Sequence, residues 1–164
     1  MVIKPERFHL ACGAAPREME CVLRCAEGDD IHYILALSRT TDRFDISECE
    51  NEIDDEELSY WISDPRSIVI VAVLGSQIVG YAYGICISKK WFFFDEFLVA
   101  AEVRGCGIGD KMYTFLRKAC IAQNIELIQG LVIDGDDAML DYWIDKGFKP
   151  GKKCIWVEDW LNPD

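Results

Sequence analysis

The chain is short of cations. Its 164 residues carry 17 Lys and Arg against 29 Asp and Glu, a formal net charge of −12. A surface of that sign repels phosphate backbones and anionic lipid, which argues against direct binding to nucleic acid or to a membrane. It favours cationic small molecules or basic protein segments. No apolar run reaches the roughly 20 residues of a membrane span. The longest, Ile68–Leu74 and Ile78–Ile87, are strand-sized. Histidine is scarce, His9 and His32 only, and there is no Cys-x-x-Cys pair, so no metal site is expected. The N-terminal MVIKPERFHL lacks the apolar stretch of a signal peptide. Gly and Pro together number 17, and neither a repeat nor a Ser/Gly linker occurs, which excludes low-complexity and collagen-like classes.

What is present is a core. Hydrophobic residues make up 51% of the chain, enough for one domain without staples. Eight cysteines lie mostly inside apolar patterns and read as reduced, buried thiols of a cytoplasmic protein. Residues 1–18, with Pro5 and Pro16, read as an irregular extension, and 19–164 as the domain. Met19–Ala26 reads as a strand. Ile31, Ile34, Leu35 and Leu37 recur at helical spacing, and Asp54 with Glu57 three residues on forms a capping signal for a second helix. Ile68–Leu74, Ile78–Ser88 and Trp91–Ala100 read as strands, the first two joined by a turn at Gly75-Ser76-Gln77. A helix is expected from the glycine-rich stretch after Arg104 to about Gln123. A strand follows over Ile125–Ile133, a helix over Asp136–Lys146 ended by Gly147, and a last strand over Lys153–Glu158. The expected class is α/β (α+β), with a central mixed, mostly antiparallel sheet flanked by about four helices.

The informative stretch is Arg104-Gly105-Cys106-Gly107-Ile108-Gly109, which follows a buried strand and opens an amphipathic helix. Alternating glycines let backbone N–H groups converge at a helix N-terminus, where the dipole favours anions. That is a phosphate cradle; a tight, ligand-free turn is the plainer alternative. Gly109-Asp110-Lys111-Met112 breaks the Gly-Lys-Ser/Thr of a Walker loop, and the third glycine comes one residue early for the dinucleotide fingerprint.

These six residues resemble the Arg/Gln-x-x-Gly-x-Gly/Ala motif of the GNAT N-acetyltransferase superfamily. Asp95-Glu96-Phe97-Leu98-Val99 is similar to the family's acid-acid-apolar-apolar-Val strand, and Trp143-Ile144-Asp145-Lys146-Gly147-Phe148 to its Tyr-x-x-x-Gly-Phe signature. The resemblance covers roughly residues 19–160. It implies transfer of an acetyl group from acetyl-CoA to an amine by direct attack, with no metal. It also implies cofactor contacts from Phe97, Leu98, Val99, Arg104, Gly105, Cys106, Gly107, Ile108 and Gly109, and from Asp136 and Trp143 on the last helix.

The acceptor ammonium, with a pKa near 10.4 for a lysine-like amine, must lose a proton. Asp95 and Glu96 are the candidate bases, since an acid inside an apolar strand needs a partner or a cavity. Strand alternation turns only one of them to a given face unless a bulge re-aims the other. Asp95 matches the register of the spermidine/spermine-type members; Glu96 matches an acid of many others; structural ion pairing is the remaining alternative. The resemblance puts the oxyanion donors at Leu98-Val99. Trp143 stands where the family often has an acidic Tyr, and Asp136 where it has Asn. Those departures keep a second reading open, a non-catalytic acyl-CoA-binding regulatory or sensor module. The segment Asp42–Glu57 holds nine carboxylates and one Arg. It is either a solvated face or a lure for a cationic acceptor. Exposed sheet edges leave room for a homodimer.

Overall fold

Alternating apolar residues build the sheet of this computed structural model, which describes residues 3–10, 19–41, 53–157 and 159. The described residues fall in two compact units, one reaching to Gly130 and the other running on from Leu131.

The first unit holds a sheet of six strands in sequence order. These are β1 (Glu6–Leu10), β2 (Met19–Cys25), β3 (Ser67–Leu74), β4 (Gln77–Ser88), β5 (Trp91–Val99) and β6 (Leu127–Gln129). Neighbours are antiparallel except β5 and β6, which are parallel. Residues 1–18 are therefore not uniformly irregular. Glu6–Leu10 pairs with β2, and Arg7 to Glu20 (2.9 Å) and Glu6 to Lys118 (2.8 Å) fasten it. The strand expected over Ile125–Ile133 shrinks to three residues.

Three helices of this unit cover the sheet: α1 (Ile31–Ser38), α2 (Asp55–Ser63) and α3 (Ile108–Ala122). Asp54 caps α2 by accepting from the Glu57 N–H at 2.8 Å, as its spacing predicts. In α3 the buried residues Ile108, Met112, Phe115, Leu116, Ala119 and Cys120 recur at helical spacing and form one face. Alternation along β4 separates the helices. Gly80 faces Met112 of α3, while Tyr81 and Tyr83 point to the other face, where Trp61 of α2 meets Tyr83. Covered on both sides, Ile68–Ala72 of β3 is buried without interruption. Before α1, the Asp30 carboxylate accepts two bonds from Arg24 (2.5 and 2.8 Å) and one from the Glu27 N–H (2.8 Å).

The second unit contains α4 (Asp137–Asp145). Asp136 caps it through the Met139 N–H at 3.1 Å. Gly147 at φ 90° ends it, with the Phe148 N–H returning to the Trp143 carbonyl at 3.0 Å. The strand expected at Lys153–Glu158 is not formed over residues 153–157, and Glu158 lies outside the described residues. Ile155 and Val157 are exposed there, so extension buries little of their apolar surface.

Candidate functional site

The site grows from a mismatch between β5 and its neighbours. On one side β5 pairs with β4, but Tyr83 faces Glu96 and Gly84 faces Phe94, so Asp95 is an extra residue, a β-bulge. On the other side β6 pairs only with Trp91–Phe93. Among the described residues no strand pairs with β5 beyond Phe93 on that edge. The Ala100 N–H turns to β4, donating to the Val79 carbonyl. Alternation then turns the backbone groups of Val99 to the other edge, and those of Leu98 to β4. Arg104 confirms the direction, its Nε donating to the Val99 carbonyl at 2.9 Å.

That edge runs into the glycine loop. Gly105 and Gly107 sit at φ 76° and 79°, a region that disfavours side chains, and among the described residues nothing lies within 4 Å of where a Cβ would stand. Gly107 is the residue before α3 and brings no side-chain cap to that 15-residue helix, whose N-terminal dipole suits an anion. Cys106 departs from the reduced reading of the cysteines. It is disulfide-bonded, while Cys21, Cys25, Cys86, Cys120 and Cys154 are free.

The bulge brings Asp95 and Glu96 to one cluster, where strand alternation alone separates them. Tyr81, fully buried, donates its hydroxyl to Glu96 Oε2. The Tyr83 hydroxyl lies near both carboxylates, and its ring lies parallel to that of Tyr81 at 6.3 Å and edge-on to Trp61 at 5.0 Å. Solvent reaches Asp95, and Glu96 is half-buried. Lost hydration raises the pKa of both carboxyls above the ordinary carboxylate range; the Tyr hydrogen bonds oppose this, and the charge of Glu57 on α2 adds to it. Burial, then the neighbouring carboxylates, pushes Tyr81 and Tyr83 far up, so both stay protonated and act as donors.

Phe97, Leu98 and Val99 thus lie between the bulge and the loop of Arg104, Gly105, Cys106, Gly107, Ile108 and Gly109, along one continuous stretch. Asp136 and Trp143 belong to the second unit, where Trp143 is buried edge-on to Phe148 at 5.1 Å. Residues 42–52 of the acidic segment lie outside the described residues; Asp54–Glu57 lead into α2. The sequence reading missed Tyr81, Tyr83, Trp61 and Ser38. The signal for the first two was present in Tyr81-Ala82-Tyr83, whose spacing puts both rings on one face. No group of three or more metal-binding side chains occurs among the described residues, and none of their helices is long and apolar enough to cross a membrane.

The chain matches the acetyltransferase (GNAT) family over residues 31–149, most of its length, and belongs to that family. It is by class a transferase of the N-acetyltransferase kind. Comparison with curated proteins finds no match. Solved structures share the fold. An aminoglycoside acetyltransferase, meta-AAC0020, from an uncultured soil metagenomic sample, in complex with sisomicin, is 18% identical, with a TM-score of 0.69 over 87% of this chain and 97% of that one. Aminoglycoside N-acetyltransferase AAC(6')-Iy in complex with CoA is 11% identical, with a TM-score of 0.72 over 89% and 99%. A transcriptional regulator from Bacillus halodurans is 16% identical, with a TM-score of 0.70 over 85% and 99%. Identities this low speak for the fold alone.

Proposed function

We propose that the protein transfers an acetyl group from acetyl-CoA to a cationic primary amine. The carrying observation is the unpaired edge of β5, which links a carboxylate-bearing bulge to a glycine loop at a helix N-terminus. The residues fit the cosubstrate: the loop amides and the α3 dipole suit its pyrophosphate, and the Val99 N–H suits the thioester oxygen. Arg104 closes the loop on Val99, and Asp136 and Trp143 are further contacts on the family pattern.

In the reaction the amine nitrogen bonds to the thioester carbonyl carbon and the carbon–sulfur bond breaks. The proton of the acceptor ammonium goes to Asp95 or Glu96, directly or through water. Trp143 offers no acidic hydroxyl. A thiol of pKa about 8.5 leaves unprotonated at neutral pH at a penalty of about 2 kcal/mol, so the reaction slows without it but is not blocked. The acceptor class follows from Asp95, Glu96 and Glu57 facing one cluster beside Trp61 and Tyr83, a setting that favours ammonium groups. The resemblance of the Asp95 register to that of spermidine/spermine-type members supports an oligoamine, and the sisomicin complex of a structural neighbour supports an aminosugar.

The test is CoA release from acetyl-CoA across a panel of spermidine, sisomicin and a lysine peptide. Turnover with at least one amine, lowered about 100-fold or more in Asp95→Asn with acetyl-CoA affinity kept, is expected. Binding of acetyl-CoA without turnover on any amine would favour the non-catalytic acyl-CoA module that the Trp143 substitution leaves open.

A further inference from the structure

Two carboxylates side by side raise the question of which one takes the proton, and the tyrosines beneath them differ in whom they serve. We propose that Tyr81 is a positioning residue: by donating its buried hydroxyl to Glu96 it fixes that carboxylate as the anion that holds the incoming ammonium, and leaves Asp95, on the bulge, to take the proton. This rests on the acetyl-transfer reading of the site.

Tyr81 is 0% exposed, and its single hydroxyl proton is directed at Glu96 Oε2. Close by, the hydroxyl of Ser38, the last residue of α1, donates to the Leu35 carbonyl at 3.0 Å and so keeps its own proton away from Tyr81. Between a serine hydroxyl and a carboxylate, the phenol proton settles on the carboxylate, the stronger acceptor. Tyr83 lies near both acids but has one proton to give. Glu96 therefore holds a dedicated donor and a share of a second, and Asp95 only the share. A donated hydrogen bond favours the ionised form. Glu57 on α2 raises both, and the deeper burial of Glu96 and the charge of Asp95 work against its extra donor; against these the Tyr81 bond is given the larger weight. Neighbouring carboxylates titrate as a pair, and the one with fewer donors accepts the first proton. The more solvent-reached Asp95 is also the one an acceptor or its water meets first.

The experiment is a carboxyl NMR titration of the full chain without ligand, wild type and Tyr81→Phe, which keeps the buried ring. As pH falls, Asp95 is expected to protonate before Glu96 in the wild type, and Glu96 before Asp95 in the variant. With acetyl-CoA and spermidine, Tyr81→Phe is expected to raise the spermidine KM about tenfold, the size of a lost hydrogen bond to a charge, with kcat within about threefold. Its kcat/KM should also lose its acidic limb at a higher pH. An unchanged protonation order, or Glu96 leading in the wild type, would overturn the proposal. Should Tyr81→Phe not fold, Glu96→Gln reads the same division: a raised KM with most of kcat kept supports it, and a kcat loss equal to that of Asp95→Asn overturns it. A reversed order in the titration, together with no turnover in any form of the protein, would support the division of proton affinity while removing the acetyl-transfer reading.

Discussion

Asp95, the proposed proton acceptor, opposes stability. Its pKa is raised on folding, chiefly by lost hydration, so between the ordinary carboxylate range and its folded value the native state binds more protons than the unfolded one. Stability therefore falls as pH rises through that window and stays lower at neutral pH. Asp95→Asn removes that partly desolvated charge. A higher Tm at pH 7 than wild type, with the difference vanishing at acidic pH, is expected by calorimetry, in the same variant that loses turnover. Asp30 behaves in the opposite sense. Burial alone would raise its pKa, but the Arg24 guanidinium and the Glu27 N–H outweigh burial and hold it below the usual range. Its contribution is fully present above the unfolded carboxylate pKa and is lost as pH falls through the folded one. Asp30→Asn is expected to lower unfolding free energy by about 2 kcal/mol at pH 7 in urea denaturation, and by less as the pH approaches the folded pKa.

At the scale of elements, the proposed chemistry rests on the bulge in β5 and the glycine loop after it. Gly84 sits opposite Phe94, beside the bulge, and an added Cβ would press on the Phe93 carbonyl, the Phe92 ring (2.6 Å) and Phe94 Cα (2.6 Å). Gly84→Ala is expected to destabilise by about 2 kcal/mol and to lower kcat more than acetyl-CoA affinity, because the bulge moves while the loop does not. Gly107→Val meets no neighbour among the described residues but forces a β-branched residue to φ near 79°. It is expected to weaken acetyl-CoA binding at least tenfold while leaving the acceptor KM nearly unchanged. The loop was legible from three glycines in alternation, and the helices from their apolar spacing and the Asp54 cap. The bulge was not, because nothing in Phe94-Asp95-Glu96-Phe97 marks an inserted residue; only the pairing with Tyr83 and Gly84 does. Strand Glu6–Leu10 was hidden by the prolines on either side, and the short β6 by an apolar run, Ile125–Ile133, that continues past its last partner.

For the whole molecule, charge is the property most open to test. The net charge of −12 was readable by counting, and its surplus of carboxylates between Asp42 and Glu57 was plain. What counting does not show is that Glu57, through α2, faces the Asp95–Glu96 pair. Acceptors with several ammonium groups should therefore be drawn in by the field. Their kcat/KM is expected to fall steeply as ionic strength rises from about 0.01 M to about 1 M, where the screening length shrinks from about 30 Å to about 3 Å. A neutral-bodied monoamine should respond far less. The order of antiparallel strands, glycine loop and amphipathic helix was legible because each element has its own periodicity. The parting of β5 from β6 was not, since it depends on where two strands stop touching.

That parting and the loop beyond it underlie the whole functional reading, and calorimetric titration of the intact chain with acetyl-CoA tests them together. Saturable heat in the wild type, at least tenfold weaker binding in Gly107→Val and unchanged binding in Asp95→Asn are expected. A folded wild-type protein that takes up no acetyl-CoA, or binds it equally well with Gly107 replaced, would contradict the account.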